Sequence, residues 1–180
     1  MRLTLLIAGL LLAFTAQAAP LQRPDFGDDA AEAQVVDKTL KGQFHQVRQT
    51  VVDRTSDLVV TTMGFLGVPY RRGGNTAETG FDCSGFVDHV YRHTLGISLP
   101  RTSRGISKVG KSVSPDELSP GDLVFYNTQH ASFSHVGIYV GDGKFVHSPR
   151  TGESVRTEDM QTHYWKTRYE GARRIRRLLQ

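Results

Sequence analysis

The 180-residue chain carries 22 Lys and Arg against 18 Asp and Glu, a net charge of +4. That length is enough for one domain with a sizeable core. Its basic residues are scattered, with no aromatic-interleaved basic stripe, which argues against nucleic acid and leaves an anionic polymer or plain solubility as the meaning of the charge.

Residues 1–18, "MRLTLLIAGLLLAFTAQA", combine Arg2, an apolar run from Leu3 to Phe14 and a small-residue close. This is the pattern of a secretory signal peptide cleaved after Ala18; the run is short for a membrane span, and an uncleaved anchor is the alternative. Losing Arg2 takes the charge from +4 to +3, and the mature chain is expected outside the cytoplasm, secreted or periplasmic. Residues 19–46 are polar with little apolar periodicity and are expected to form a flexible leader. The folded domain is expected over 47–180, as a monomer.

Val51, Val52, Leu58, Val59, Met63 and Phe65 predict an amphipathic helix over 47–66, broken by "GVPYRRGG" (67–74). A second helix starts at Asp82 or Cys83, carries Phe86, Val87, Val90, Tyr91 and Leu95 on one stripe, and stops at Gly96. Ser114, Pro115 and Glu117 spell a capping box for one short turn. The period then changes to two: "DLVFYN" (122–127), "SHVGIYVG" (134–141) and "KFVHS" (144–148) read as strands. Residues 157–170 read as a short helix or loop, and "ARRIRRL" (172–178) as a last, arginine-rich edge strand. Helices first and an antiparallel sheet after is the α+β class.

Cys83 is the only cysteine. In an oxidising compartment an unpaired thiol is either inert and buried or reactive. At a helix N-terminus the dipole and free N–H groups favour thiolate, the form that attacks. A nucleophile also needs a base and a group to orient it. His135 and His147 flank the "GDG" turn, so parity decides whether they meet. A two-residue turn at 142–143 pairs Ile138 with His147 and separates the histidines. A three-residue turn at 141–143, with Gly143 left-handed and a bulge, pairs Gly137 with His147 and puts His135 diagonally beside it on one face. The second register also gathers Val136, Ile138, Val140 and Val146 on the opposite, core face, and Gly137 leaves room for the rings. It predicts Cys83 on a helix packed against the sheet face that carries both histidines. Two strand histidines facing water are the alternative.

"PYRRGG" (69–74), "FDCSGFV" (81–87), "LPRTS" (99–103), "GDLVFY" (121–126) and "SHVGIYVGDGKFVHS" (134–148) together resemble the NlpC/P60 family of cell-wall cysteine peptidases, in the family's order. The closing "YWKTRYEGARRI" (164–175) is similar to the Spr/MepS type of murein endopeptidase. The resemblance covers about residues 50–178. It implies a papain-like NlpC/P60 fold with N-terminal helices on a central antiparallel sheet, and a triad of Cys83 as nucleophile, His135 as base and His147 as third residue. It places the oxyanion-stabilising tyrosine at Tyr70 and groove positions at Asp82, Ser84, Arg101 and Ser103. Arg72 departs from the aromatic or small residue often found there. The implied activity is hydrolysis of peptidoglycan stem peptides, at the D-Ala–meso-diaminopimelate cross-link or, alternatively, between γ-D-Glu and diaminopimelate. A non-catalytic wall-binding module and a related acyltransferase or amidase are the rival readings. No cofactor and no metal are expected. His89 and His93 are four apart, but the stretch between them lacks the glutamate of the H-E-x-x-H zinc motif.

Overall fold

The computed structural model describes residues 29–175. The expected signal peptide and residues 19–28 of the expected leader lie outside the described residues. The chain divides into two compact units, one through Gly42 and one from Gln43 onward. In the first unit the described residues are helical.

In chain order the elements are α1 (Asp29–Gly64), β1 (Asn75–Thr76), β2 (Gly80–Phe81), α2 (Cys83–Leu95), α3 (Ser103–Ile106), β3 (Lys111–Val113), a 3₁₀ turn (Pro115–Glu117), β4 (Leu123–Tyr126), β5 (His135–Gly141), β6 (Lys144–His147), β7 (Arg156–Asp159), α4 (His163–Lys166) and β8 (Tyr169–Arg174). Six strands form one antiparallel sheet in the order β3-β8-β4-β5-β6-β7, and β1 and β2 form a separate ribbon. The α+β class follows.

α1 begins at Asp29, inside the expected leader, so residues 29–46 are helical instead. Ala, Glu, Gln, Lys and Leu are good helix formers even where no apolar stripe marks them. In its C-terminal half, Leu58 and Thr62 are buried, whereas Met63, expected on the apolar stripe, is exposed. α2 is the predicted second helix. Asp82 caps it by accepting from the Gly85 N–H at 2.7 Å, and Gly96 closes it in the left-handed conformation at φ 67°. Ser114 differs from a full capping box: its hydroxyl donates to the Glu117 carboxylate rather than accepting from the turn's backbone.

The sheet has apolar clusters on both faces. Leu123, Phe125, Val136, Ile138 and Val146 pack with Phe86, Val87, Val90 and Tyr91 of α2. On the reverse, Val124, Tyr126, Phe145 and Ala172 pack around Trp165 of α4. The chain's last described strand, β8, is internal between β3 and β4, not the expected edge. Its arginines explain why charge is tolerated there. Arg174 grips the buried Asp122 with Nε and Nη2, each at 2.7 Å, and Arg173 donates to the Ser107 carbonyl at 2.7 Å. β3 and β7 fall in stretches that alternation did not mark as strands.

Candidate active site

The β5–β6 register is the one the parity argument selects. Ile138 pairs with Val146 and Tyr139 with Phe145, which sets Gly137 opposite His147. The means differ from expectation. Asp142 and Gly143, at φ 51° and 69°, make a two-residue turn that closes Gly141 against Lys144, and a bulge between Tyr139 and Gly141 restores the register. Gly137 is required here by close approach. A Cβ on it would lie 2.6 Å from the Phe145 ring and 3.2 Å from His147 Cβ.

His135 and His147 are buried, and His135 Nε2 lies 2.6 Å from His147 Nδ1 with the rings perpendicular. Trp165, which sequence reasoning missed as a site residue, stacks on His135 and stands edge-on to His147. Its only advance signal was being the chain's single tryptophan. Burial holds both imidazoles neutral: His135 is pushed down to about 4 and His147 well below its ordinary value, the latter helped by His135 and Arg156.

The pair shares one proton across its hydrogen bond. If His135 Nε2 donates it, His135 Nδ1 is free to accept from a thiol, and His147 must carry its own proton on Nε2. That atom is buried without a partner among the described residues.

Cys83 is the first residue of α2, as expected, but the two faces differ from the prediction. α2 packs on the Val136 face, whereas His135 and His147 project from the reverse face with Tyr126 and Trp165. The thiol faces the end of β5: the Val136 backbone N–H, one residue from His135, lies against it together with those of Ser84 and Cys83. These N–H groups favour thiolate, but burial and then the Asp82 charge outweigh them and push the thiol up to about 11. The helix N-terminus alone does not ionise Cys83.

Tyr70 lies close enough for Cys83 and Asp82 to raise its phenol, after burial as the larger cause. Its backbone is anchored to the Glu153 carbonyl at 2.8 Å. Asp82, Ser84 and Arg101 form one network under the α2 N-terminus. Arg101 Nη1 and Nη2 donate to the two Asp82 oxygens at 2.8 and 2.9 Å, Nη1 also to Ser84 Oγ at 2.8 Å, and Nη2 to the Gly74 carbonyl at 3.0 Å. Burial raises the Asp82 carboxyl, yet the Arg101 and Gly85 hydrogen bonds and the Arg101 charge bring it net below the usual range. Ser103 begins α3 with its hydroxyl buried and unbonded among the described residues, outside this network. His89 and His93 stack on each other at 4.0 Å, and His89 packs on Phe65 and Phe81.

Residues 67–174 match the NlpC/P60 family, and the chain belongs to that family. It is 40% identical over 129 residues to the murein DD-endopeptidase MepS/murein LD-carboxypeptidase of Escherichia coli K12, covering 72% of this chain and 63% of that protein. It is 43% identical over 138 residues to the γ-DL-glutamyl hydrolase of Bacillus subtilis 168, covering 74% of this chain and 33% of that protein. The chain thus spans less than two thirds of either curated relative. A crystal structure of an NlpC/P60 family protein from Bacillus cereus ATCC 10987 superposes with a TM-score of 0.62 at 40% identity, over 67% of this chain and 39% of that one.

Proposed function

We propose that this chain is an exported cysteine endopeptidase of peptidoglycan stem peptides, cutting the D-Ala–meso-diaminopimelate cross-link. The observation that carries it is the 2.6 Å His135–His147 hydrogen bond, with His135 one residue along β5 from the Val136 N–H that faces the Cys83 thiol at a helix start. Likeness to the MepS endopeptidase supports the cross-link as target. Cleavage between γ-D-Glu and diaminopimelate is the second reading, favoured by likeness to the γ-DL-glutamyl hydrolase.

Thiol and base both rest neutral, so the proton passes from Sγ to His135 Nδ1 as Sγ adds to the scissile carbonyl. His147 Nδ1 accepts from His135 Nε2 and steadies the imidazolium. The oxyanion is met by the Cys83 N–H and the Tyr70 hydroxyl. Collapse breaks the C–N bond, with the amine taking the proton from His135. Water, deprotonated by His135, then adds to the thioester, and release of the acid returns the proton to Sγ. Asp82, Ser84 and Arg101 hold the helix start and the wall of the acyl-side groove. No step needs a metal.

Mature protein (residues 19–180) and Cys83→Ala are incubated with purified diaminopimelate muropeptides and analysed by mass spectrometry. Cross-linked dimers should fall to tetrapeptide monomers with the wild type alone. Monomers shortened to the dipeptide would establish the second reading, and no Cys83-dependent product would overturn both.

A further inference from the structure

A cavity of about 390 Å³ opens beside the histidine pair. Its lining includes His135, His147, Trp165 and the charged residues Arg150, Glu153, Arg156 and Glu158, but not Cys83. Its position relative to the reaction follows from mechanism. The acyl part of a substrate becomes bonded to Sγ, whereas the leaving amine collects its proton from His135. A space walled by His135 and not by Cys83 is therefore assigned to the leaving side. Asp82, Ser84 and Arg101 are not part of this lining, and Tyr70 adjoins it through its backbone bond to Glu153.

The lining is a built one. Arg156 sits directly across the ladder from His147, and Glu158 across from Phe145, so both project on the histidine face. Arg156 commits Nε to Glu158 at 2.7 Å and Nη1 to Glu153 at 2.8 Å, which leaves Nη2 unbonded among the described residues. Glu153 also accepts from Arg150 Nε at 3.0 Å. Two carboxylates thus clamp a guanidinium that is 43% exposed, with its remaining donors fixed in direction. The second feature is the orphan His147 Nε2, buried in the same wall. Arg156 Nη2 and His147 Nε2 can each offer an N–H, and neither has an acceptor among the described residues.

Either scissile bond considered above leaves meso-diaminopimelate on this side. That residue carries a free carboxylate on its side-chain stereocentre: adjacent to the scissile nitrogen in the cross-link, at the far end of the side chain otherwise. We propose that the cavity is the leaving-side subsite and that Arg156 receives this carboxylate through its free guanidinium edge. The inference rests on the peptidase reading. An acceptor in this wall would also favour the tautomer that keeps His135 Nδ1 open to the thiol, so filling the subsite and readying the base become one event.

The test compares two muropeptides that differ only in that carboxylate, free or converted to carboxamide. Charge-assisted hydrogen bonds predict a kcat/KM about ten- to a hundredfold higher for the free acid with the wild-type protein. In Arg156→Gln that ratio should collapse toward one. The ratio isolates binding, because any effect of Arg156 on His147 basicity is felt by both substrates. Arg150→Gln, at a side chain that is 79% exposed and no threat to folding, should reduce the ratio in part. A wild-type ratio near one, or a ratio that survives in Arg156→Gln, overturns the subsite while the peptidase stands. Calorimetric titration of the same muropeptides into Cys83→Ala separates the two readings. Binding weakened by the carboxamide without cleavage by the wild type overturns the peptidase and the leaving-side assignment while keeping a carboxylate site at Arg156; neither binding preference nor cleavage overturns all of these.

Discussion

Cys83 is poised without being ionised. Its thiol is raised to about 11 by burial and Asp82, and His135 is lowered to about 4, so each partner is held in its uncharged form. Alkylation by iodoacetamide should therefore be slow at pH 7 and climb between pH 9 and 11. A rate already level below pH 8 would mean that a thiolate–imidazolium pair forms in the free protein. The residue identities were legible early: a lone cysteine at a capped helix start, and two histidines whose meeting depends on hairpin parity. What could not be read was the environment. Arg156 and Trp165 reach the histidines through cross-strand pairing with β6 and through a short helix, and neither contact leaves a periodic trace in the chain.

Among the elements, the β5–β6 hairpin has the tightest tolerance. Gly137→Ala would press a methyl into the Phe145 ring and toward His147, costing about 1–3 kcal/mol and displacing the pair. Urea denaturation and turnover should fall together; full activity would show that the ring can shift aside. β8 gives a second prediction. Arg174→Ala strands Asp122, which is 2% exposed, and should cost about 3–5 kcal/mol in the same denaturation measurement. A loss under 1 kcal/mol would mean that water reaches Asp122. "SHVGIYVG" and "KFVHS" were legible as strands because Val136, Ile138 and Val146 fall on one face across a tight glycine turn, although the reverse face is buried too. β8 was misplaced because its run of arginines reads as solvent-facing, when two of them are bound to acceptors in the fold. β3 has three residues with one charge, and β7 has four with three charges, so neither period rises above the background.

Across the whole molecule, the buried histidines tie stability to pH. Both have folded-state values below the unfolded value near 6.5, so the unfolded chain binds more protons between the two. Their contribution is complete above pH 6.5 and is lost as pH falls toward 4, amounting for His135 to on the order of 3 kcal/mol. Melting temperature should fall steeply across that window, and His135→Phe should flatten the fall. An equal slope in that variant would assign the acid sensitivity to carboxylates. The arrangement of the two apolar clusters carries a further consequence. Cys83 packs against one and the two histidines project on the side of the other, with the backbones of β4, β5 and β6 common to both. Each face can thus exchange its own side chains, yet the proposed reaction registers any twist of the strands they share. Selection on such a site acts on alignment across a seam, and a substitution deep in either core can silence the chemistry while leaving both halves folded.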